Sequence, residues 1–142
     1  MEKICWKKEY SVGVGKFDCQ HRHLFEITNK LMEHIGKSPK DPGLVSETLT
    51  EMINYAREHF TDEEVLMKEY GYPEIESQKK QHDYFINTTA ELAVSFMDNR
   101  NTTAGEIAEF LKLWLTTHIL KSDMKYKEFF KAKIHPVAEY SI

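Results

Sequence analysis

The 142-residue chain contains only two cysteines, and it has no apolar run of the length that crosses a membrane. Cys5 and Cys19 form neither a CxxC motif nor a cluster with histidines, so a thiolate zinc site is not indicated. Both are expected to be free thiols in a reducing cytoplasm, although an oxidised link between them, close to His21, stays open. The first residues also lack the apolar segment of a secretory signal. These absences predict a cytoplasmic protein without a membrane partner.

A surplus of positive charge is also missing. Lysine and arginine together number 19 against 23 aspartate and glutamate residues, which gives a formal net charge of -4 at pH 7. A nucleic-acid binder normally carries a basic surplus, so no nucleic-acid partner is expected. The hydrophobic content of 41% and the charged content of 30% are typical of a globular protein. The length suits a single domain over residues 1–142.

Apolar residues recur at spacings of three and four, which predicts amphipathic helices. Residues 1–17 are expected to form an arm in which Trp6 serves as a packing anchor. The first helix is predicted to run from an Asp18 cap to about Ile35, where Gly36 would stop it.

The second helix is predicted to run from the pair Asp41–Pro42 to about Tyr70, with Gly71 as its stop. Residues 61–64 also fit a capping box, which would start a new helix there. The inner apolar stripe passes through this segment in phase, so one continuous helix is preferred. Pro73 is then expected to open the third helix.

The third helix is predicted to run from about Glu74 to Met97, and a capping box at residues 103–106 begins the fourth. The helical pattern continues to about Lys131, and Pro136 would end it. Four such helices with short links predict an all-α fold. The expected architecture is an up-down-up-down antiparallel four-helix bundle with an N-terminal arm and a short C-terminal helix.

Groups that bind metals fall on the inner stripes of all four helices: His21, His59 with Glu63, His82 and His118. A single histidine on such a stripe is usually a satisfied core residue, but four of them with a carboxylate are harder to explain in that way. Burying an unpaired carboxylate costs several kcal/mol, so Glu63 needs a cation or a proton. Bundle cores hold carboxylate-bridged di-iron sites. Nitrogen and oxygen ligands without thiolate suit iron, and zinc or manganese less selectively.

Five segments spread over nearly the whole chain form a specific combination: residues 18–21 (Asp-Cys-Gln-His), 59–64 (His-Phe-Thr-Asp-Glu-Glu), 67–73 (Met-Lys-Glu-Tyr-Gly-Tyr-Pro), 82–85 (His-Asp-Tyr-Phe) and 114–123 (Trp-Leu-Thr-Thr-His-Ile-Leu-Lys-Ser-Asp). Together with Trp6 in the arm, they make the chain similar to the hemerythrin family, and to its single-domain bacterial members in particular. The resemblance implies a non-haem di-iron centre that binds oxygen reversibly, for storage, delivery or sensing. It implies an oxygen-binding protein rather than an enzyme.

The resemblance also assigns two histidines to each iron and two carboxylates to the bridge between them. The set is His21 and His59 at the iron that takes the oxygen, His82 and His118 at the other iron, and Glu63 and Asp123 as the bridges. A solvent-derived oxo or hydroxo group would complete the bridge. Four apolar residues look like the family's oxygen pocket, and they also suit simple core packing: Leu24, Phe60, Trp114 and Ile119.

One ligand position departs from the family. Four residues before His82 the family has a third histidine for the second iron, and this chain has Gln78. The amide oxygen of Gln78 is expected to ligate weakly or to leave the position to water. We therefore expect easier oxidation, weaker iron retention or reactivity toward peroxide.

Other classes of function stay open. The opened second iron favours a di-iron enzyme with peroxidase or oxidase activity, although the sequence offers no substrate cleft or dedicated acid–base residue. A sensory module and a metal-free structural bundle are further alternatives. The last of these leaves the inward-facing Glu63 and Asp123 unexplained.

His118 and Asp123 are five residues apart, which on a regular α-helix turns their directions about 140° away from each other. For both to reach one centre, the helix has to be over-wound, bulged or broken between them. The sequence therefore predicts a distortion over residues 118–123. The remaining histidines, His23, His34 and His135, fall off the inner stripes and are predicted to lie at the surface.

Overall fold

A computed structural model describes residues 2–37, 41–98 and 101–134. Within these ranges the chain is helical, with no strand. The elements are a 3₁₀ turn Lys8–Tyr10, α1 Gly15–Lys37, α2 Pro42–Tyr70, α3 Ile75–Met97, α4 Ala104–His118, a π-helical turn Ile119–Asp123 and α5 Met124–Lys133. None of these helices combines the length and the apolar character that a membrane crossing needs.

The four long helices pack as a ring. Helix α1 lies against α2 and α4, and α3 lies against the same two helices. Each is joined to the next by only a few residues, so neighbouring helices run antiparallel. Their inner faces, among them Leu24, Leu49, Phe85 and Leu111, are almost fully buried between the helices. The predicted four-helix bundle is confirmed.

Helix α2 begins and ends where the sequence predicts. The carboxylate of Asp41 accepts hydrogen bonds from the backbone N–H groups of Gly43 and Leu44, at 3.1 and 3.2 Å. Gly71 follows the last helical residue with φ at 69°, a left-handed conformation that glycine adopts without steric cost. The capping box at residues 61–64 does not start a new helix, and α2 continues through it.

The prediction for α1 is wrong at both ends. The helix begins at Gly15, and it continues through Gly36 to Lys37. Asp18 is not the cap, because its carboxylate is turned toward the arm, where it accepts hydrogen bonds from the Ser11 hydroxyl and the Val12 N–H at 2.6 and 2.8 Å. Asp18 therefore lies in the first turn, where a negative charge also suits the helix dipole, and ties the arm to α1.

The later boundaries fall close to the predicted ones. Helix α3 begins at Ile75, one residue later than predicted. The hydroxyl of Thr103 accepts a hydrogen bond from the N–H of Glu106 at 3.1 Å, which confirms the capping box at the start of α4. The short C-terminal helix ends at Lys133, two residues later than predicted, and the expected stop at Pro136 lies outside the described residues.

The arm packs along α1, as expected. The Trp6 ring lies 5.8 Å from the Phe25 ring, measured between centroids. The side chain of Asn29 both accepts from the Ile4 N–H and donates to the Ile4 carbonyl, each at 2.8 Å. Both cysteines are free thiols. Trp6 is thus a packing anchor. Asn29 satisfies both backbone groups of Ile4, as the backbone of a neighbouring β-strand would.

Candidate metal centre

Seven buried polar side chains meet at one end of the bundle. Helix α1 supplies one, α2 and α3 two each, α4 one, and the π-helical turn the last. None is more than 5% exposed to solvent, and they are His21, His59, Glu63, Gln78, His82, His118 and Asp123. The structure therefore brings together every residue that the sequence predicts as a ligand.

The histidines of α1 and α2, His21 and His59, form the first half of this cluster and are called the α1–α2 pair below. The Nε2 atom of His59 lies 3.1 Å from Oε1 of Glu63, and Nε2 of His21 lies 3.6 Å from Oε2 of the same carboxylate. His21 also lies 3.2 Å from Oδ2 of Asp123. His21, His59 and Glu63 each offer a ligand atom, and these atoms lie within 4.8 Å of one another, close enough to share one metal ion.

The histidines of α3 and α4, His82 and His118, form the other half and are called the α3–α4 pair. Nε2 of His118 lies 3.1 Å from Oδ1 of Asp123, and Nε2 of His82 lies 3.4 Å from Oε1 of Glu63. Each carboxylate thus faces a histidine of both pairs. This is the arrangement that two carboxylates need in order to bridge two metal ions.

The predicted distortion between His118 and Asp123 is confirmed. Residues Ile119–Asp123 form a π-helical turn, which contains one residue more per turn than the α-helices on either side. The added residue brings Asp123 back to the side of the helix that His118 faces. Their side chains consequently meet, with 3.1 Å between Nε2 and Oδ1.

The donor atoms of this cluster fit a metal. Buried polar atoms normally have hydrogen-bond partners. In the described part of the chain, one inward atom of each of these residues has none: Nε2 of His21, His59, His82 and His118, Oε1 of Glu63 and Gln78, and Oδ2 of Asp123. Nitrogen and oxygen donors without thiolate suit iron. Coordination would satisfy all of these atoms at once.

Both carboxylates are held in the charged form. Burial would raise the pKa of Glu63, but the surrounding imidazoles, His59 first among them, outweigh it and hold the pKa well below its usual value. Burial and the nearby Glu63 charge raise the pKa of Asp123, and His118 with His21 outweighs both and lowers it. The centre therefore holds two negative charges that need cations.

Without metal, protons on the histidines supply part of that positive charge. Burial would lower the pKa of His21, but the carboxylates of Asp123 and Glu63, at 3.2 and 3.6 Å from its Nε2 atom, outweigh it and raise the pKa to about 9. The pKa of His82 rises to about 9 in the same way, against burial, through Glu63 and Glu64. Burial lowers the pKa of His59, which stays neutral. A metal ion bound here would take the place of these protons as the source of positive charge.

Three of the four histidines are held from outside by a side chain that the sequence analysis missed. The pairs are His59 Nδ1 with Oε1 of Gln20 at 2.6 Å, His82 Nδ1 with Oε2 of Glu64 at 2.7 Å, and His118 Nδ1 with Oε1 of Gln81 at 2.8 Å. Each of these oxygens only accepts, so each Nδ1 donates, and Nε2 is the nitrogen that faces the centre. Spacing along the sequence places Gln81 one helical turn after Ser77. It gives no sign of the contact between Gln81 and His118.

Tyr126 is a further residue that the sequence analysis missed. It is fully buried on α5, and its hydroxyl donates a hydrogen bond to Oε2 of Glu63 at 2.5 Å. Its position three residues after Asp123 is the only signal in the sequence. Because the other oxygen of Glu63 faces His59 and His82, Tyr126 fixes the direction in which this carboxylate points.

Two of the expected pocket residues stack on ligand histidines. The Phe60 ring stacks on His82 with 3.9 Å between centroids and 4° between planes, and the Trp114 ring stacks on His118 at 4.4 Å and 11°. Leu24 and Ile119 are buried. The aromatic walls therefore lie mainly against the α3–α4 pair.

The remaining histidines take other contacts. His23 is half-buried, lies against the tilted Tyr55 ring with 4.3 Å between centroids, and is 3.4 Å from the carboxylate of Glu26. His34 is also partly exposed, so both lie at the surface and outside the cluster, as predicted. His135 lies outside the described residues.

Comparison with known proteins identifies the relatives of this chain. Residues 12–130 match the family model described as the hemerythrin HHE cation binding domain. A bacteriohemerythrin of Stenotrophomonas maltophilia is 31% identical over 97% of this chain and 88% of its own length. A myohemerythrin of Theromyzon tessulatum is 32% identical over 89% of this chain and 92% of its own length.

A solved structure agrees with these sequence matches. The crystal structure of a wild-type hemerythrin superimposes with a TM-score of 0.80 at 28% identity, over 89% of this chain and 97% of the other. Fold, donor set and sequence relatives support the expected di-iron, oxygen-binding function. The chain belongs to the hemerythrin family.

Proposed function

We propose that this protein binds oxygen reversibly at two iron ions held by six of its side chains: His21, His59, Glu63, His82, His118 and Asp123. One observation carries the proposal. Each of these buried side chains has a nitrogen or oxygen without a hydrogen-bond partner among the described residues, and these side chains form one cluster between the helices. Membership of the hemerythrin family supports iron as the metal.

The six ligands divide into two metal positions. The α1–α2 pair forms the first metal position, and the α3–α4 pair forms the second. Glu63 and Asp123 lie between them, since each carboxylate contacts histidines of both pairs. When bound, the iron pair supplies the electrons and the open coordination position that reversible oxygen binding needs.

The protein around the centre keeps water and protons away from it. Leu24, Phe60 and Ile119 offer only hydrocarbon, and all three are almost fully buried. The hydroxyl of Tyr126 already donates its hydrogen bond to Glu63. A dry wall without a free acid favours release of oxygen unchanged over its reduction, and therefore favours carriage over catalysis.

Gln78 makes the second position the weaker one. Its amide nitrogen donates a hydrogen bond to Oδ1 of Asp123 at 3.0 Å, while its carbonyl oxygen has no partner among the described residues. A neutral amide oxygen is a poorer ligand for iron than an imidazole nitrogen. We propose that Gln78 holds Asp123 in place and contributes at most a weak bond to the second iron.

The test is an optical spectrum recorded on one sample under argon, then in air, then with peroxide, with iron counted per chain. Reversible oxygen binding predicts charge-transfer bands that appear in air and vanish on degassing, at about two irons per chain for freshly loaded protein. Bands that form only with peroxide, together with turnover of a reducing dye, would overturn the proposal in favour of the peroxidase alternative.

The wider setting stays a prediction from the sequence. A cytoplasmic location, a single domain over residues 1–142 and the lack of a nucleic-acid partner belong to this group. The choice between storage, delivery and sensing belongs to it as well.

A further inference from the structure

The ring of His82 lies between two carboxylates on consecutive residues of α2. Oε1 of Glu63 lies 3.4 Å from Nε2, on the side of the centre. Oε2 of Glu64 lies 2.7 Å from Nδ1, on the outer side. The Phe60 ring covers a face of the imidazole at 3.9 Å. The position and the tautomer of His82 are therefore fixed on three sides.

The outer carboxylate distinguishes His82 from the other anchored histidines. His59 donates to the amide of Gln20, and His118 donates to the amide of Gln81. Both of those acceptors are neutral. A hydrogen bond to a carboxylate is stronger than one to an amide, because the acceptor carries a negative charge, and it draws the Nδ1 proton away from the ring. The lone pair on Nε2 becomes more basic as a result, and basic imidazoles bind metals more tightly.

His82, the more strongly anchored ligand, belongs to the second metal position, where Gln78 stands in place of the expected histidine. Gln78 is one helical turn before His82 on α3, and its carbonyl oxygen is the only donor that it offers to the second metal position. The charged anchor therefore supports the histidine nearest to the weak ligand. The first metal position has no charged anchor of this kind in the described structure, because Gln20 supports His59 there.

We propose that Glu64 is a positioning residue that strengthens His82 as a ligand and so offsets the missing histidine at position 78. The inference rests on the proposed function, since it needs iron at the second position. Glu64 acts through His82 and does not touch the metal. Its side chain is 26% exposed, so the acid can be replaced by an amide without opening the core.

The experiment is a double-variant cycle read out as iron retention. Wild type, Glu64→Gln, Gln78→His and the combined variant are loaded with iron under argon and mixed with excess chelator. We expect Glu64→Gln to lower the affinity for the second iron by about tenfold or more, with the first iron unaffected. In the Gln78→His background the same change should have a clearly smaller effect, because the third histidine has been restored.

A matched variant moves the charge to the other histidine of the pair. Gln81→Glu places a carboxylate on Nδ1 of His118 and should slow loss of the second iron. It also decides the outcome if Glu64→Gln does not fold, since unchanged retention in Gln81→Glu would then overturn the proposal.

The remaining outcomes are distinct. Equal second-iron affinity in Glu64→Gln and wild type, or an equal loss in both Gln78 backgrounds, would overturn the role of Glu64. If Glu64→Gln lost both irons and also lost its helical circular dichroism signal, Glu64 would have a merely structural role, which would overturn the proposal. A wild-type chain that never takes up a second iron would instead overturn the proposed function.

Discussion

The two halves of the centre are built differently. In the α1–α2 pair, Nδ1 of His21 has no hydrogen-bond partner among the described residues, and His59 is anchored by a neutral amide. In the α3–α4 pair both histidines are anchored at Nδ1, and both are covered by a stacked aromatic ring. The half with the weak ligand is the half with the firmer support.

This difference indicates that ligand count and ligand support are separate properties of the site. The first position has its two histidines and one carboxylate grouped within 4.8 Å before any metal arrives. The second has Gln78 where the resemblance to the family implies a histidine, and its two histidines have the firmer outer contacts.

Replacing Glu63 by glutamine should abolish the contrast, because this carboxylate serves both halves. Its oxygens face His21, His59 and His82, and an amide would present an N–H group to one of them. We expect the affinity for both irons to fall about 100-fold or more. Iron counted per chain after desalting measures this loss. Glu69→Gln, an exposed acid on the same helix, is the control, and two retained irons in Glu63→Gln would contradict the bridging role.

Replacing Tyr126 by phenylalanine should destabilise the fold without favouring either half of the centre, because Tyr126 contacts the carboxylate that both halves share. The change removes a buried hydrogen bond to a charged oxygen, and we expect the free energy of unfolding to fall by about 2 kcal/mol. Denaturant unfolding measures it, with Tyr84→Phe as a control at a residue that is 57% exposed. An unchanged unfolding midpoint would show that Tyr126 does not hold Glu63.

Replacing Gln78 by histidine should remove the contrast from the other direction. An imidazole is a stronger ligand for iron than an amide, so we expect the second iron to bind about tenfold more tightly. Release of iron into a chelator distinguishes a fast phase from a slow one. The two phases should merge in the variant, and a persistent fast phase would show that Gln78 is not the cause of the asymmetry.

Replacing Phe60 by leucine should have the smallest effect and should fall mainly on the second position. The variant keeps an apolar wall but loses the ring stacked on His82. We expect about 1 kcal/mol of lost stability and a somewhat faster loss of the second iron. The same chelator assay and thermal unfolding measure both quantities. Faster loss of the first iron instead would contradict the placement of Phe60 against the α3–α4 pair.

Periodicity predicted the bundle and the inward direction of the ligands. Residues three and four apart share a helix face, so His59 with Glu63 and Gln78 with His82 were aligned before any tertiary contact was known. The distortion before Asp123 was predictable for the same reason, because a regular helix could not point it with His118.

Contacts between distant residues were not predictable in this way. The start of α1 was missed because Asp18 serves Ser11 and Val12 instead of capping its own helix. The anchors Gln20 and Glu64 were missed because they depend on which nitrogen of a ring faces outward. That choice is made by packing between helices, which no spacing rule records.

The π-helical turn has a consequence for tolerance to deletion. It contains one residue more than an α-helix would need between the same flanks, and Leu120 within it is 40% exposed. Deleting Leu120 would leave His118 and the aspartate four residues apart, and residues at that spacing lie on the same face of a regular α-helix. We expect this shortened chain to keep its iron, whereas deleting the exposed Leu113 from α4 would rotate the ligands apart and lose it. Helices rarely survive the loss of one residue, and this one contains a place where such a loss restores regular geometry.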